Sequence, residues 1–304
     1  MIARQSRPSV EYALLLLLAM LWGSSYMFVK IGVETIPPFT LIALRVGIAA
    51  IMLVGIVVWR RERLPADPST LLQLLLQAFL NTFGAWTIVA WGQQYVESSL
   101  ASVLNSTSPL FVFFITFFFT RHESTNALRL IGAGLGIAGV VLIVGTDALK
   151  GLGHQVGAQL AILFAAFMYG CAAIYGKRFS HLSPTVIAAT VMVLATCAMI
   201  PLSIVFDRPW TLEPSAKSIM AAVALGVLCT GVALMLYFRL LRTLGSMGVA
   251  SQGYLRVGVG VLLGVFILGE TITPVIAAGI AAAVTGVVLI NMPARQKSSP
   301  ENQE

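Results

Sequence analysis

The sequence predicts an all-α polytopic membrane protein of ten transmembrane helices, written as two inverted five-helix repeats. Three observations carry that reading. The first is apolarity. Of the 304 residues 58% are hydrophobic and 10% charged, and the mean hydropathy is +0.91, which leaves too little charge to cover a water-soluble globule. The second is length: apolar runs of about 20 residues, enough to cross a bilayer, follow one another along nearly the whole chain. The third is repetition. Residues Gly139 to Ile143 read GVVLI, and Gly286 to Ile290 read GVVLI again. At that same offset Gly23 maps to Gly170, Lys30 to Lys177, Pro37 to Pro184, Glu123 to Glu270 and Gly132 to Gly279, with Trp22 falling on Tyr169. Chance supplies one such five-residue match in so apolar a chain. It does not supply the others in register, so the chain is one unit written twice, residues 1–150 and then 151–304.

The first expected span runs from Tyr12 to Ile31, after a short polar arm, and ends where Pro37 and Pro38 cannot continue a helix interior. It is too long for a signal-peptide core and lacks a small-residue cleavage site. Spans two, three and four are expected at Phe39 to Trp59, Leu71 to Trp91 and Leu100 to Thr120. After the tight turn Arg121-His122-Glu123, span five runs from Leu128 to Thr146 and carries the first GVVLI. A Gly-containing link, Asp147 to Val156, joins the repeats. Spans six to ten follow at Gly157 to Tyr175, Thr185 to Phe206, Ile219 to Phe238, Val249 to Leu268 and Val275 to Asn291, and the charged tail from Pro293 reads as disordered.

Five spans per unit is an odd number, so the second unit enters the membrane from the opposite side. The two units are then related by a pseudo-two-fold axis in the membrane plane, an arrangement common among secondary transporters. Charge sets the orientation. With the N-terminus inside, thirteen of the nineteen Lys and Arg residues fall on cytoplasmic segments, and short cytoplasmic loops carry that excess. The net charge of +7 therefore reads as membrane orientation and not as a nucleic-acid surface. Both termini are expected inside, in a cell inner membrane.

With spans and repeats placed, the motifs resemble the EamA family of the drug/metabolite transporter superfamily over nearly the whole chain. Trp22-Gly-Ser-Ser25 leads to Lys30-Ile-Gly32 and Pro37-Pro38. Arg45 follows in span two, Ser108-Pro109-Leu-Phe111 lies in span four, Leu268-Gly-Glu270 follows span nine, and both repeats end in GVVLI. The resemblance implies a central cavity between the repeats and export of small metabolites, often amino acids. Two departures stand out: Arg256-Val257 where the family's ninth helix commonly has Glu-Pro, and Arg121-His122-Glu123 where the family has Leu-Gly-Glu.

Several residues are candidates for the cavity. Arg256, inside span nine, is costly in lipid and marks a functional site by default. Its guanidinium suits a substrate carboxylate, and the rival reading is an Arg that snorkels or bonds free carbonyls. Arg45 reads first as structural. Gln73, Gln77 and Asn81 make a polar stripe on span three that continues through Gly84, Ile88, Trp91 and Tyr95. Span four answers with Ser98, Ser102, Asn105 and Ser106, and span nine adds Gln252. Such stripes either line a wet cavity or knit helices together. Trp22, Tyr26, Trp86, Tyr169 and Tyr254 are core aromatics or the wall of a pocket for a planar group. Trp59, Trp91, Tyr95 and Trp210 fit interfacial belts. Pro109 is a hinge or a static kink.

The exclusions are as useful. Cys171, Cys197 and Cys229 sit in separate apolar runs with no CxxC pair, so they read as small core residues. The three His fall at turns, and no metal or other cofactor is called for. There is no GxxxxGK[ST] and no loop long enough for a nucleotide-binding domain. All twelve Asp and Glu can be assigned to loops or span ends, so no mid-membrane carboxylate offers a proton site. The expectation is a carrier working by facilitated movement, with amino acids, aromatic or large apolar, as first choice. Its partners are a small-molecule substrate and the surrounding lipid, and it is a monomer or a weak homo-oligomer. A multidrug or nucleotide-sugar exchanger is the alternative, and a membrane-embedded enzyme a more distant one.

Overall fold

The computed structural model describes residues 8–119, 127–149, 153–245, 249 and 252–291. The Arg121-His122-Glu123 turn, the tail from Pro293 and the side chain of Tyr254 lie outside the described residues. Among the described residues there are ten helical spans. They are α1 (Pro8–Gly32), α2 (Pro38–Trp59), α3 (Pro68–Gly92), α4 in two pieces (Ser98–Asn105 and Ser108–Phe119) and α5 (Ala127–Leu149). Then come α6 (Gly153–Tyr175), α7 (Pro184–Asp207), α8 (Ala216–Thr243), α9 (Gln252–Leu268) and α10 (Pro274–Asn291). Eight of these are long and apolar enough to cross a membrane. Two shorter apolar helices, Leu255–Leu268 and Pro274–Ile290, complete the set.

Helix starts are written plainly in the sequence. Proline is the first residue of α2, α3, α7 and α10, where its missing N–H costs nothing and its φ is already helical. Side-chain caps reinforce this: Asp67 accepts from the Thr70 amide at 2.9 Å and Ser183 from the Val186 amide at 3.3 Å. Pro38 thus does more than end α1, as the sequence suggested; it opens α2.

The packing is mirrored between the halves. α1 packs on α9 and, at the equivalent place, α6 packs on α4. α1 also packs on α8 as α6 does on α3, while α2 meets α7 and α5 meets α10. Each of these contacts has its counterpart with the repeats exchanged. Between α5 and α10 each GVVLI stretch packs on the small-residue turns that precede the other, Gly139 to Ile143 on Gly279 to Ala283 and Gly286 to Ile290 on Gly132 to Gly136. A Cβ on Gly139 would lie 2.5 Å from the Ala283 amide nitrogen, and one on Gly286 2.5 Å from the Gly132 carbonyl oxygen. Small residues at such spacing let membrane helices approach closely enough for backbone-to-backbone packing. The α2–α7 seam is apolar instead, with Leu41, Ile42, Val46, Ala49 and Leu53 buried against Ala189, Met192, Ala195 and Met199. Lipid-side residues such as Ile51 and Phe266 stay exposed.

Two interruptions matter for the site. Phe79–Phe83 in α3 and Val227–Val232 in α8 are π-turns at equivalent places in the two repeats, with a glycine at the same repeat position, Gly84 just after the first and Gly231 near the end of the second. A π-turn inserts extra chain into a helix and rotates everything after it.

Candidate functional site

A cavity of about 730 Å³ lies between the repeats, walled by α1, α2, α3, α4, α6, α7, α8 and α9. Trp22 and Tyr26 reach it from α1, Gln77, Asn81 and Trp86 from α3, and Asn105 from α4. Tyr169 of α6, Gln252 and Arg256 of α9 and Arg45 of α2 complete the predicted set on the wall. Two sequence candidates fall elsewhere. Ser102 is fully buried between helices, with its hydroxyl where a side chain on Gly260 would have to go, so it serves the α4–α9 contact. Pro109 is the second residue of the second piece of α4, just after the break at Ser106 and Thr107; its neighbour Ser108 lines the cavity and Pro109 does not.

Sequence reasoning missed Thr82, Gln93, Thr230 and Tyr237, all on the wall. A regular 3.6-residue stripe from Gln77 and Asn81 leads on to Gly84, Ile88, Trp91 and Tyr95. The π-turn advances the register, so Trp86, Val89 and Gln93 face inward instead. Trp91 and Tyr95, 41% and 44% exposed, face outward. The signal that was available is the pair of glycines, Gly84 and Gly231, at one repeat position.

The wall carries charge, aromatic faces and unused polar atoms. Arg45 is only 7% exposed. Its Nε donates to the Thr230 hydroxyl at 3.0 Å, and its guanidinium carbon sits 3.7 Å from the centre of the Trp86 ring. A desolvated guanidinium on an indole gains about 2 kcal/mol, less than the several kcal/mol that burying an ion costs. The Trp22 and Tyr237 rings meet in a tilted pair with centroids 5.5 Å apart, and Asn105 Nδ2 donates to the Tyr26 hydroxyl at 2.7 Å. Six buried polar atoms on this wall have no hydrogen-bond partner among the described residues: Gln77 Oε1, Thr82 Oγ1, Gln93 Oε1, Asn105 Oδ1, Gln252 Oε1 and Arg256 Nε. Each such group costs about 1–3 kcal/mol unless a ligand or water meets it. Ser98 and Ser102 hydroxyls are also unmatched, off the wall. Among the described residues no Asp or Glu lines the cavity, and no three His, Cys, Asp or Glu cluster as metal ligands would.

The two ends of the cavity differ. At the end where α1 begins, wall residues Pro184 and Asn81 are exposed. At the opposite end Val29 and Gln93 are buried, and a set of bonds shuts the bundle. Lys30 Nζ donates to the Gln93 carbonyl at 2.7 Å and the Val96 carbonyl at 2.8 Å. Glu270, after α9, accepts from the Ser98 and Ser99 amides at 2.6 and 2.9 Å, capping α4 where a carboxylate is favoured. Asp207 accepts from the Thr40 amide at 2.6 Å and ties α7 to α2. Glu270 is thereby occupied as a cap and is not on the cavity wall.

The pattern of the EamA-like transporter family matches the sequence twice, at residues 10–145 and 156–292. The chain belongs to that family. It is therefore a membrane transporter of the drug/metabolite superfamily, not an enzyme. Among its relatives, the "Uncharacterized inner membrane transporter YedA" of Escherichia coli (strain K12) is 28% identical over 92% of this chain and 90% of its own. The "Uncharacterized transporter YoaV" of Bacillus subtilis (strain 168) is 26% identical over 72% and 75%. A solved structure, 20% identical, superposes with a TM-score of 0.62 over 93% of this transporter and 96% of its own chain, a likeness of fold.

Proposed function

We propose that this transporter exports small carboxylate-bearing metabolites across the inner membrane, with amino acids, aromatic or large apolar, as the first class to test. The observation that carries this reading is the unpaired Arg256 Nε on an aromatic-walled cavity whose other unmatched atoms are amide and hydroxyl groups. A guanidinium suits a carboxylate. The amide oxygens accept an ammonium, and Trp22, Trp86 and Tyr169 offer faces for a planar or apolar body. The inner-membrane placement follows the YedA relative and the Lys/Arg bias. With the N-terminus inside, the open end of the cavity faces the cytoplasm, where an exporter loads. The cavity volume also admits the bulkier cargo of a multidrug or nucleotide-sugar exchanger, and the same assay separates these.

The test is substrate counterflow in proteoliposomes across amino acids, their decarboxylated amines, nucleotide sugars and lipophilic cations. Amino acids should exchange. Arg256→Ala should weaken the acid more than its amine, by roughly 10- to 150-fold, the worth of one hydrogen bond to a charged group. If acid and amine lose equally in a folded variant, Arg256 has no part in reading the carboxylate.

A further inference from the structure

The cavity wall holds two guanidiniums, Arg45 and Arg256, and among the described residues no carboxylate. Arg45 is more than nine-tenths buried, and its bonds go only to neutral groups, the Thr230 hydroxyl and the Trp86 ring. The Arg256 Nε has no partner among the described residues. A buried ion without a counter-ion is unfavourable, and whatever brings the opposite charge is bound in proportion. One negative charge leaves the loaded wall at a formal +1. A zwitterion leaves it at +2 and sets its ammonium in the field of both guanidiniums, with only neutral oxygens such as Gln252 Oε1 and Asn105 Oδ1 to receive it. In a low-dielectric site charge repulsion of that kind is weakly screened.

We propose that the cavity selects net anions: organic acids with an apolar body and no free ammonium, such as N-acylated amino acids, ahead of the free amino acids. Arg45 and Arg256 together are the specificity-determining charges. This rests on the reading of the cavity as the transport site and sharpens its substrate class.

Ligand-induced thermal stabilisation of the purified full chain in detergent tests it, since a ligand that binds the folded state raises its melting point in step with affinity. Four probes are compared for each of three bodies, alanine, leucine and phenylalanine: the free amino acid, its N-acetyl acid, its N-acetyl amide and its decarboxylated amine. The N-acetyl amide controls for bulk without charge. For at least one body the N-acetyl acid should bind at least tenfold tighter than the free amino acid, with amide and amine weaker than both. Arg45→Met should melt no lower than the parent without ligand, because it removes a buried charge, and should lose the anion preference; Arg45→Lys should retain most of it. Equal or tighter binding of the free amino acid overturns the proposal while leaving the cavity as the transport site. So does an Arg45→Met variant that still prefers the anion. If none of the twelve probes binds, the proposal and the reading beneath it both fail.

Discussion

Lys30 holds two backbone carbonyls, Gln93 and Val96, across one end of the bundle, while Lys177, which occupies the same place in the second repeat, is exposed and its side chain donates no such clasp among the described residues. Two copies of one sequence unit therefore stand in different states. The fastened end and the unfastened end together describe a carrier open on one side only, and exchanging the roles of the two lysines is the simplest way to describe its other state.

The lysine clasp predicts a gating phenotype. Charge-assisted bonds contribute about 1.5–3 kcal/mol each, so Lys30→Met should shift the balance towards opening at that end. Ser99, 1% exposed, reports it: in a background without native cysteines, a cysteine at Ser99 should react with an impermeant thiol reagent at least tenfold faster when Lys30 is Met. An unchanged rate would mean the clasp does not hold that end.

Orientation is open to the same chemistry. The short polar loop carrying Thr211 should lie outside and the one carrying Ala66 inside, because the Lys/Arg excess gathers on Ala66's side. In intact cells an impermeant reagent should label a cysteine at Thr211 and spare one at Ala66. The reverse pattern inverts the topology.

Energy coupling follows from the acid-free wall. Proton coupling needs a group that binds and releases a proton in alternating states, and guanidiniums do not do so. Glu270 is engaged as a cap of α4. Exchange in proteoliposomes should proceed at equal pH on both sides, and an imposed pH gradient with the potential clamped should not accumulate substrate. Uphill accumulation by that gradient would point to a proton site elsewhere, with Glu97, Glu123 and Glu270 first to be replaced.

The α5–α10 seam gives a stability test with an internal control. Gly139→Ala places a Cβ against the backbone of Ala283 and the carbonyl of Gly279, and overpacking of this kind costs about 1–3 kcal/mol. Gly145, in the same helix, has nothing within 4 Å of its built Cβ, so Gly145→Ala should be neutral or stabilising by up to about 1 kcal/mol. Melting points of the two variants should diverge; equal effects would dissociate the seam from stability.

The ten spans were legible because hydropathy and proline placement act locally, and the repeat because its markers, GVVLI above all, are exact copies. What escaped the sequence is rotational. Gln77 and Asn81 were placed on the right face, but the π-turn after them hides from any 3.6-residue count, so Gln93 was overlooked and Trp91 carried onto the stripe. Ser102 and Asn105 are three residues apart on one helix, and only packing against Gly260 tells the one that knits helices from the one that meets the cavity. For Arg45, which the family resemblance reads as structural, a lone sequence shows neither the Trp86 ring beneath it nor the Thr230 hydroxyl it bonds.

The volume of the cavity has a consequence for tolerance. About 730 Å³ lies well inside the range of about 300–1,000 Å³ that accommodates drug-sized ligands, so a molecule as small as one amino acid would leave part of it unfilled. Shape then discriminates little: one methylene is worth about 1–3 kcal/mol even in a fitted apolar pocket, and less where the pocket is loose. Under the proposal above, such a cavity reads the net charge of its cargo and forgives the shape of the apolar body. If the proposed export holds, that tolerance would suit a relief valve for a chemical class better than a dedicated route for a single metabolite.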